Sequence, residues 1–405
     1  MQWSDVFATR NARMKASEIR ELLKLLDQPD IISFAGGIPD PELFPAEAFS
    51  KAFATAMQPG QAKVALQYSV SEGYRPLREW IAGRMADLGV SCDADNILIT
   101  SGSQQALDYL GKLMLSPDDT ALVTWPSYLG ALGAFNAYEP RYARLDPFSN
   151  ESPELLKAQA GAAGGAIKFA YLSPDFANPT GETLSLAGRE ALLDQAEALG
   201  IAIIEDAAYQ SLRFDGDSIP PILALDVARN GGIEKTRTIY CGTFSKTLSP
   251  GLRVGWVCAA KDVIGRLVLM KQAADLHSPT LNQIATNDVA RALFDEHVNR
   301  LRTVYSARRD RMIAALEREM PANVHFTRPE GGMFIWVTLD PSIDAAELLA
   351  RAVRDARVAF VPGGAFFADG SGRNTLRLSF SCASDQQIDE GIRRLGEMLK
   401  APAAR

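Results

Sequence analysis

Short apolar runs alternate with segments of helical period through the first two thirds of the chain, and this alternation constrains the fold more than any other feature. The runs include Asn96-Ile97-Leu98-Ile99-Thr100, Thr120-Ala121-Leu122-Val123, Ala170-Tyr171-Leu172 and Ile201-Ala202-Ile203-Ile204. The alternation predicts βα units and therefore an α/β fold class with a mostly parallel sheet. Several runs end in polar or Gly-rich turns: Ser101-Gly102-Ser103-Gln104, Trp125-Pro126-Ser127-Tyr128, Asn178-Pro179-Thr180-Gly181 and Glu205-Asp206. Open α/β sheets bind ligands beyond the strand C-termini, so these turns are where a site is expected.

At 405 residues the chain exceeds what one hydrophobic core usually serves, which predicts a large and a smaller domain with a cleft between them. A long amphipathic helix is expected from about Asp295 to Met320, with Val298, Leu301, Val304, Tyr305, Met312 and Leu316 at helical spacing. It is read as the bridge between domains. After it, the runs Gly331 to Val337 and Thr375 to Phe380 predict strands of a smaller α+β domain. The boundaries expected are 46–295 for the large domain, and 1–45 with 296–405 for the small one. The Ala/Gly-rich stretch Ala158 to Ala166 reads as a loop before a strand.

The charge of -7, from 49 acidic and 42 basic residues with no basic run, argues against nucleic acid as a partner. Four cysteines, at 92, 241, 258 and 382, show neither CxxC spacing nor disulfide-framework density, and the three histidines lie far apart. No metal site is expected, and a reducing compartment fits. The start MQWSDVFATRNARMK has no signal-like apolar core, and no segment approaches the roughly 20 apolar residues that span a bilayer. A cytoplasmic protein without membrane attachment is the expectation.

The segment Thr243-Phe244-Ser245-Lys246-Thr247-Leu248-Ser249-Pro250-Gly251-Leu252-Arg253 gathers hydroxyls, one lysine and one arginine after an apolar run. A lysine becomes a covalent group when burial and nearby cations lower its pKa, and a phosphate requires hydroxyl and guanidinium donors. Lys246, with Thr243, Ser245 and Arg253, satisfies both requirements, although a solvated lysine in a Ser-rich turn has the same sequence. Ser101 to Leu107 places glycine and hydroxyls between a strand and a helix, where unsatisfied N–H groups favour a phosphate, with Ser103 and Gln104 as contacts. An N-capping serine uses the same donors. Asp206, delivered by a buried strand with Tyr209 three residues on, is either a functional carboxylate or an ordinary cap or turn residue.

Taken together, SxSK…GLRxG in the form Thr243 to Gly255, the NPTG turn at Asn178 and the D-x-x-Y of Asp206 and Tyr209 resemble the fold-type I aminotransferases of the class I and II group. Thr243 stands where serine is more usual. The resemblance runs from about residue 15 to 395. It implies a fold-type I transferase with a seven-stranded, mostly parallel sheet, pyridoxal 5'-phosphate (PLP) as cofactor, and Lys246 as its Schiff-base residue.

By that resemblance Asp206 pairs with the pyridine nitrogen, Asn178 and Tyr209 contact the phenolic oxygen, and Tyr128 stacks on the ring. Ser103, Gln104, Thr243, Ser245 and Arg253 meet the phosphate, and Tyr68 reaches the phosphate of the partner subunit in a homodimer. Arg377 on a predicted strand grips the substrate α-carboxylate as a bidentate donor. The segments Ser17-Glu18-Ile19-Arg20 and Phe34 to Asp40 resemble the subgroup containing 2-aminoadipate and kynurenine aminotransferases. There Gly37 admits close backbone approach to substrate, and Arg20 meets a distal carboxylate or makes a salt bridge.

The expected function is transfer of an amino group from an L-amino acid (2-aminoadipate, aromatic or branched aliphatic) to a 2-oxo acid such as 2-oxoglutarate. Two alternatives share the same residues. One is a ligand-sensing aminotransferase-like domain of a regulator, for which residues 1 to 30 leave no room for a DNA-binding module. The other is a PLP lyase or decarboxylase.

Overall fold

The computed structural model describes residues 2–14, 30–149 and 151–400. Seven strands form the principal sheet: β2 (Ile97–Thr100), β3 (Thr120–Val123), β4 (Arg141–Arg144), β5 (Ile167–Leu172), β6 (Ala202–Asp206), β7 (Thr238–Thr243) and β8 (Gly255–Cys258). Their spatial order is β2-β8-β7-β6-β5-β3-β4. Only β8 is reversed, pairing antiparallel with both β2 and β7, while the other neighbours are parallel. The mostly parallel seven-stranded sheet expected from sequence is therefore present.

Side chains alternate between the two faces of a strand. Ile97 and Ile99 of β2 join one core with Leu77, Ile81 and Val289, whereas Leu98 joins another with Leu107, Leu110 and Leu267. Both faces are thus covered by helices, which is why the strands read as continuous apolar runs.

A smaller antiparallel sheet has the order β12-β13-β10-β9, from β9 (His325–Phe326), β10 (Phe334–Thr338), β12 (Val361–Pro362) and β13 (Thr375–Ser379). Beside it, β1 (Ile32–Ser33) pairs in parallel with β11 (Val358–Ala359), and the Ser379 N–H donates to the Phe34 carbonyl. These bonds carry the N-terminal segment across to the C-terminal part of the chain.

The long helix is Thr280–Glu319, 40 residues and roughly 60 Å by helical rise, and begins well before the expected Asp295. Its first half buries Gln283, Thr286 and Asn287 among Ile284, Ala285 and Val289, so no clean apolar stripe marks it in the sequence. Val289 and Val298 pack into the principal-sheet core, while Leu301, Tyr305, Met312 and Leu316 pack into the core around the smaller sheet.

The expected loop Ala158 to Ala166 is corrected in its first half, where the helix Pro153–Ala162 stands. Ser152 caps it by accepting from the Leu155 N–H, and alanine's high helix propensity outweighs the glycines. Among the described residues, no helix is long and apolar enough to cross a membrane.

Candidate active site

The C-terminal ends of β2, β3, β5, β6 and β7 surround a cavity of about 140 Å³. Ser103 and Gln104 follow β2, Tyr128 follows β3, Asn178 follows β5, and Asp206 and Tyr209 come from the end of β6. Thr243, Ser245, Lys246 and Arg253, on and after β7, complete the set of candidates that line it. A wider cleft of about 650 Å³ borders this cavity at Ser173 and contains none of the candidate residues.

Lys246 Nζ donates to the Gly37 carbonyl at 2.9 Å and lies 5.8 Å from the centre of the Tyr209 ring. Burial, followed by the charges of Arg377 and Arg253, brings its ammonium down to about 8. A neutral amine, the form that attacks a carbonyl carbon, is thereby accessible near physiological pH.

Asp206 is 4% exposed. Its Oδ2 accepts a 2.8 Å hydrogen bond from the Tyr171 hydroxyl, and its Oδ1 is buried with no hydrogen-bond partner among the described residues. Burial pushes the carboxyl up to about 6, although Tyr171, the Ala208 N–H and Lys246 all pull the other way. A buried carboxylate oxygen without a donor is costly unless a ligand supplies one, and a protonated pyridine nitrogen is such a donor.

At the opposite end of the donor set, Gly102 adopts φ +77° as the residue before the helix Ser103–Met114. Gly102 takes the cap position and no side chain caps this N-terminus, so the alternative of an N-capping serine is not met and Ser103 is the first helical residue. Arg253 bends over it, with Nη2 donating to the Ser101 carbonyl at 3.3 Å and Nη1 to the Pro250 carbonyl at 2.9 Å. A Cβ on Gly102 would stand 2.1 Å from Arg253 Nη2, so only glycine admits this approach. Thr243 Oγ1 donates to Ser245 Oγ at 2.9 Å on the same rim. Uncapped N–H groups, two hydroxyls and a guanidinium form a cradle with the chemistry of a phosphate site. The donor set and the unpartnered Asp206 oxygen therefore fit PLP from both ends.

Arg377, on β13, is 1% exposed and brings the smaller sheet into contact with the site. Its Nη1 donates to Asn178 Oδ1 at 2.7 Å and its Nη2 to the Ala35 carbonyl at 2.9 Å, while Nε has no hydrogen-bond partner among the described residues. The guanidinium lies 4.3 Å from the Phe334 ring centre, and burial lowers its pKa to about 10. A Cβ on Gly37 would stand 3.5 Å from Arg377 Nη2, so the Gly37 backbone passes directly beside the guanidinium.

A sequence model of the aminotransferase class I and II family matches residues 30–395. The chain belongs to that family. This aminotransferase is 44% identical to a 2-aminoadipate transaminase of Thermus thermophilus over 99% of its own length and 98% of the relative's. It is 41% identical to an aromatic-amino-acid aminotransferase of Thermococcus litoralis, over 99% of this chain and 95% of the relative. The crystal structure of an α-aminoadipate aminotransferase from Thermus thermophilus, complexed with N-(5'-phosphopyridoxyl)-L-leucine, superposes with a TM-score of 0.87 at 42% identity. The superposition covers 99% of this chain and 98% of that one. The chain is a PLP-dependent aminotransferase of fold type I.

Two candidates lie elsewhere. Tyr68 is 78% exposed, edge-on to His277 at 6.0 Å, and does not line the cavity of its own chain. Arg20, with Ser17 to Ile19, falls outside the described residues. The aminotransferase also uses residues that motif reading passed over. Tyr171 holds Asp206, and Ala35, inside the Phe34 to Asp40 segment but given no role there, offers the carbonyl that meets Arg377. Gly130 lies under Tyr128, whose ring atoms would stand 2.4 Å from a Cβ there, and its carbonyl accepts from Gln104 Nε2 at 2.6 Å. For Tyr171 the legible signal was a hydroxyl inside the otherwise apolar, buried run Phe169 to Leu172.

Proposed function

We propose that this aminotransferase takes the amino group of an L-amino acid of the 2-aminoadipate, aromatic or branched aliphatic class and passes it to a 2-oxo acid such as 2-oxoglutarate. The observation that carries this is Arg377, a buried guanidinium whose partners among the described residues are an amide and a carbonyl, with no carboxylate. A buried cation without a counter-charge is unfavourable, and a substrate α-carboxylate supplies the missing partner. The relatives' activities on 2-aminoadipate and on aromatic amino acids support the donor class.

PLP, when bound, supplies the carbonyl carbon that accepts the amino group and a ring that takes up electrons. The chain's residues do the rest. Lys246 is the covalent anchor and moves the proton at the substrate Cα, for which its lowered pKa suits it. Asp206 Oδ1 would receive the ring N–H, and Ser103, Gln104, Thr243, Ser245 and Arg253 would hold the phosphate. Asn178, which accepts from Arg377, and Tyr209 line the same cavity and are the residues expected at the phenolic oxygen. Tyr128 covers the ring, and the Gly37 backbone flanks the carboxylate beside Arg377.

The same reading takes residues 46–295 as the cofactor domain, and 1–45 with 296–405 as the smaller domain, in a cytoplasmic homodimer. Supporting the dimer, Met57, Val64, Leu66, Tyr68 and Val70 form a run of exposed apolar side chains around the residue expected to reach the partner's phosphate.

The test is a half-reaction in which the purified protein, loaded with PLP, is mixed with single amino acids while its visible absorbance is followed. Conversion to the pyridoxamine phosphate spectrum with 2-aminoadipate or an aromatic donor, reversed by 2-oxoglutarate, is expected. A spectrum unchanged by every donor, or loss of carbon dioxide without amino transfer, overturns the reading.

A further inference from the structure

Tyr171 belongs to no motif read from the sequence, yet it makes the side-chain hydrogen bond that Asp206 receives. Its hydroxyl donates to Oδ2, leaving Oδ1 buried and unpartnered, so the two oxygens of one carboxylate have different tasks. The ring of Tyr171 is held edge-on against Phe135 at 5.5 Å and the residue is 1% exposed, so the hydroxyl has no room to turn away. Burial and the neighbouring Asp206 charge oppose ionisation of the phenol, which therefore stays a neutral donor. Four other titratable groups face Asp206: Lys246 beyond β7, Tyr128 beyond β3, Tyr209 beyond β6 and Cys241 on β7. None of the four is hydrogen-bonded to its carboxylate.

We infer that Tyr171 is a positioning residue: by donating to Oδ2 it keeps Asp206 the weaker base of the pair, so that the proton shared with the cofactor's ring nitrogen rests on the nitrogen. The inference depends on the assignment of Asp206 Oδ1 to that nitrogen. A hydrogen bond to the ionised form of a carboxylate lowers its basicity, and removing it shifts the shared proton toward oxygen. A ring nitrogen without its proton is a weaker electron sink, so the loss falls on kcat more than on KM.

Tyr171→Phe keeps the ring and its packing and deletes one oxygen. In holoenzyme carrying ring-labelled nitrogen, the cofactor's NMR resonance is expected near the protonated position in the parent and displaced toward the unprotonated position in the variant. The half-reaction rate is expected to fall by about tenfold to a hundredfold, the effect of one charge-assisted hydrogen bond. Phe135→Leu disturbs the same packing without removing the hydroxyl and is expected to leave the resonance in place. Tyr171→His restores a donor and is expected to return the resonance part of the way. Placed on Asp206→Asn, the Tyr171→Phe change is expected to add nothing to the rate loss. An unmoved resonance in Tyr171→Phe, or an equal displacement in Phe135→Leu, overturns the inference. A parent resonance already at the unprotonated position overturns instead the assignment of Asp206 on which it rests.

Discussion

Arg377 and Asn178 are 199 residues apart in sequence, and the guanidinium Nη1 of one donates to the side-chain oxygen of the other across 2.7 Å. The bond joins the smaller sheet to the turn beyond β5, so the residue proposed for the substrate carboxylate and one proposed for the cofactor share one hydrogen-bonded unit. Replacing Arg377 by lysine keeps the charge and removes the planar fork. Arg377→Lys is expected to raise KM for the amino acid donor by roughly tenfold to a hundredfold, as one to two charge-assisted hydrogen bonds are lost. Steady-state kinetics with the preferred donor would measure it, and an unchanged KM would remove Arg377 from the carboxylate role.

Lys246 gives a pH dependence whose sign follows from its lowered pKa. In protein stripped of cofactor, the ammonium goes from the ordinary 10.5 when unfolded to about 8 when folded. Between these values the unfolded chain binds more protons, so stability rises with pH across that window and is lowest, from this group, below about pH 8. Lys246→Met is expected to lack this rise. Denaturant midpoints of the two apoproteins between pH 7 and 10.5 would show their difference shrinking with pH, and parallel curves would contradict the assignment.

Gly102 faces two obstacles to substitution: its φ of +77° and the 2.1 Å approach of Arg253 Nη2 to a built Cβ. Gly102→Ala is expected to displace the Arg253 guanidinium and weaken cofactor retention by about tenfold or more, at a fold cost of about 1–2 kcal/mol for the strained backbone. Equilibrium dialysis against free PLP, with thermal unfolding as control, would separate the two effects. Retention equal to the parent's would mean that the cradle does not hold the phosphate.

Away from the site, Arg189 and Asp175 form a buried ion pair at 2.7 Å, and the guanidinium also donates to the carbonyls of Leu184 and Pro220. Arg189→Ala leaves a buried carboxylate short of a partner and is expected to cost about 3–5 kcal/mol of stability. Urea denaturation of the holoenzyme would measure this, and a loss below about 1 kcal/mol would mean that Arg213, 3.4 Å from the same oxygen, compensates.

Much of the fold was legible wherever a local pattern matched its final environment. The runs that became β2, β3, β5 and β6 are apolar because both sheet faces are covered, and their strand limits shifted by only a few residues. Edge strand β4, Arg-Tyr-Ala-Arg, carries no such run because its side chains stay partly in water. The first half of the helix Thr280–Glu319 was hidden because its buried face includes amides and hydroxyls.

The sequence by itself determined the cofactor chemistry, because Lys246, Asp206, Asn178, Tyr209 and Arg253 stand in local motifs that strand–turn–helix geometry delivers to one sheet edge. Tertiary structure alone decided what tunes them. The burial that lowers Lys246, the hydroxyl Tyr171 supplies to Asp206, and the contact of Arg377 with Asn178 and Ala35 depend on segments far apart in sequence. Desolvation and hydrogen-bond partnership act through distance in space, and a motif records only distance along the chain.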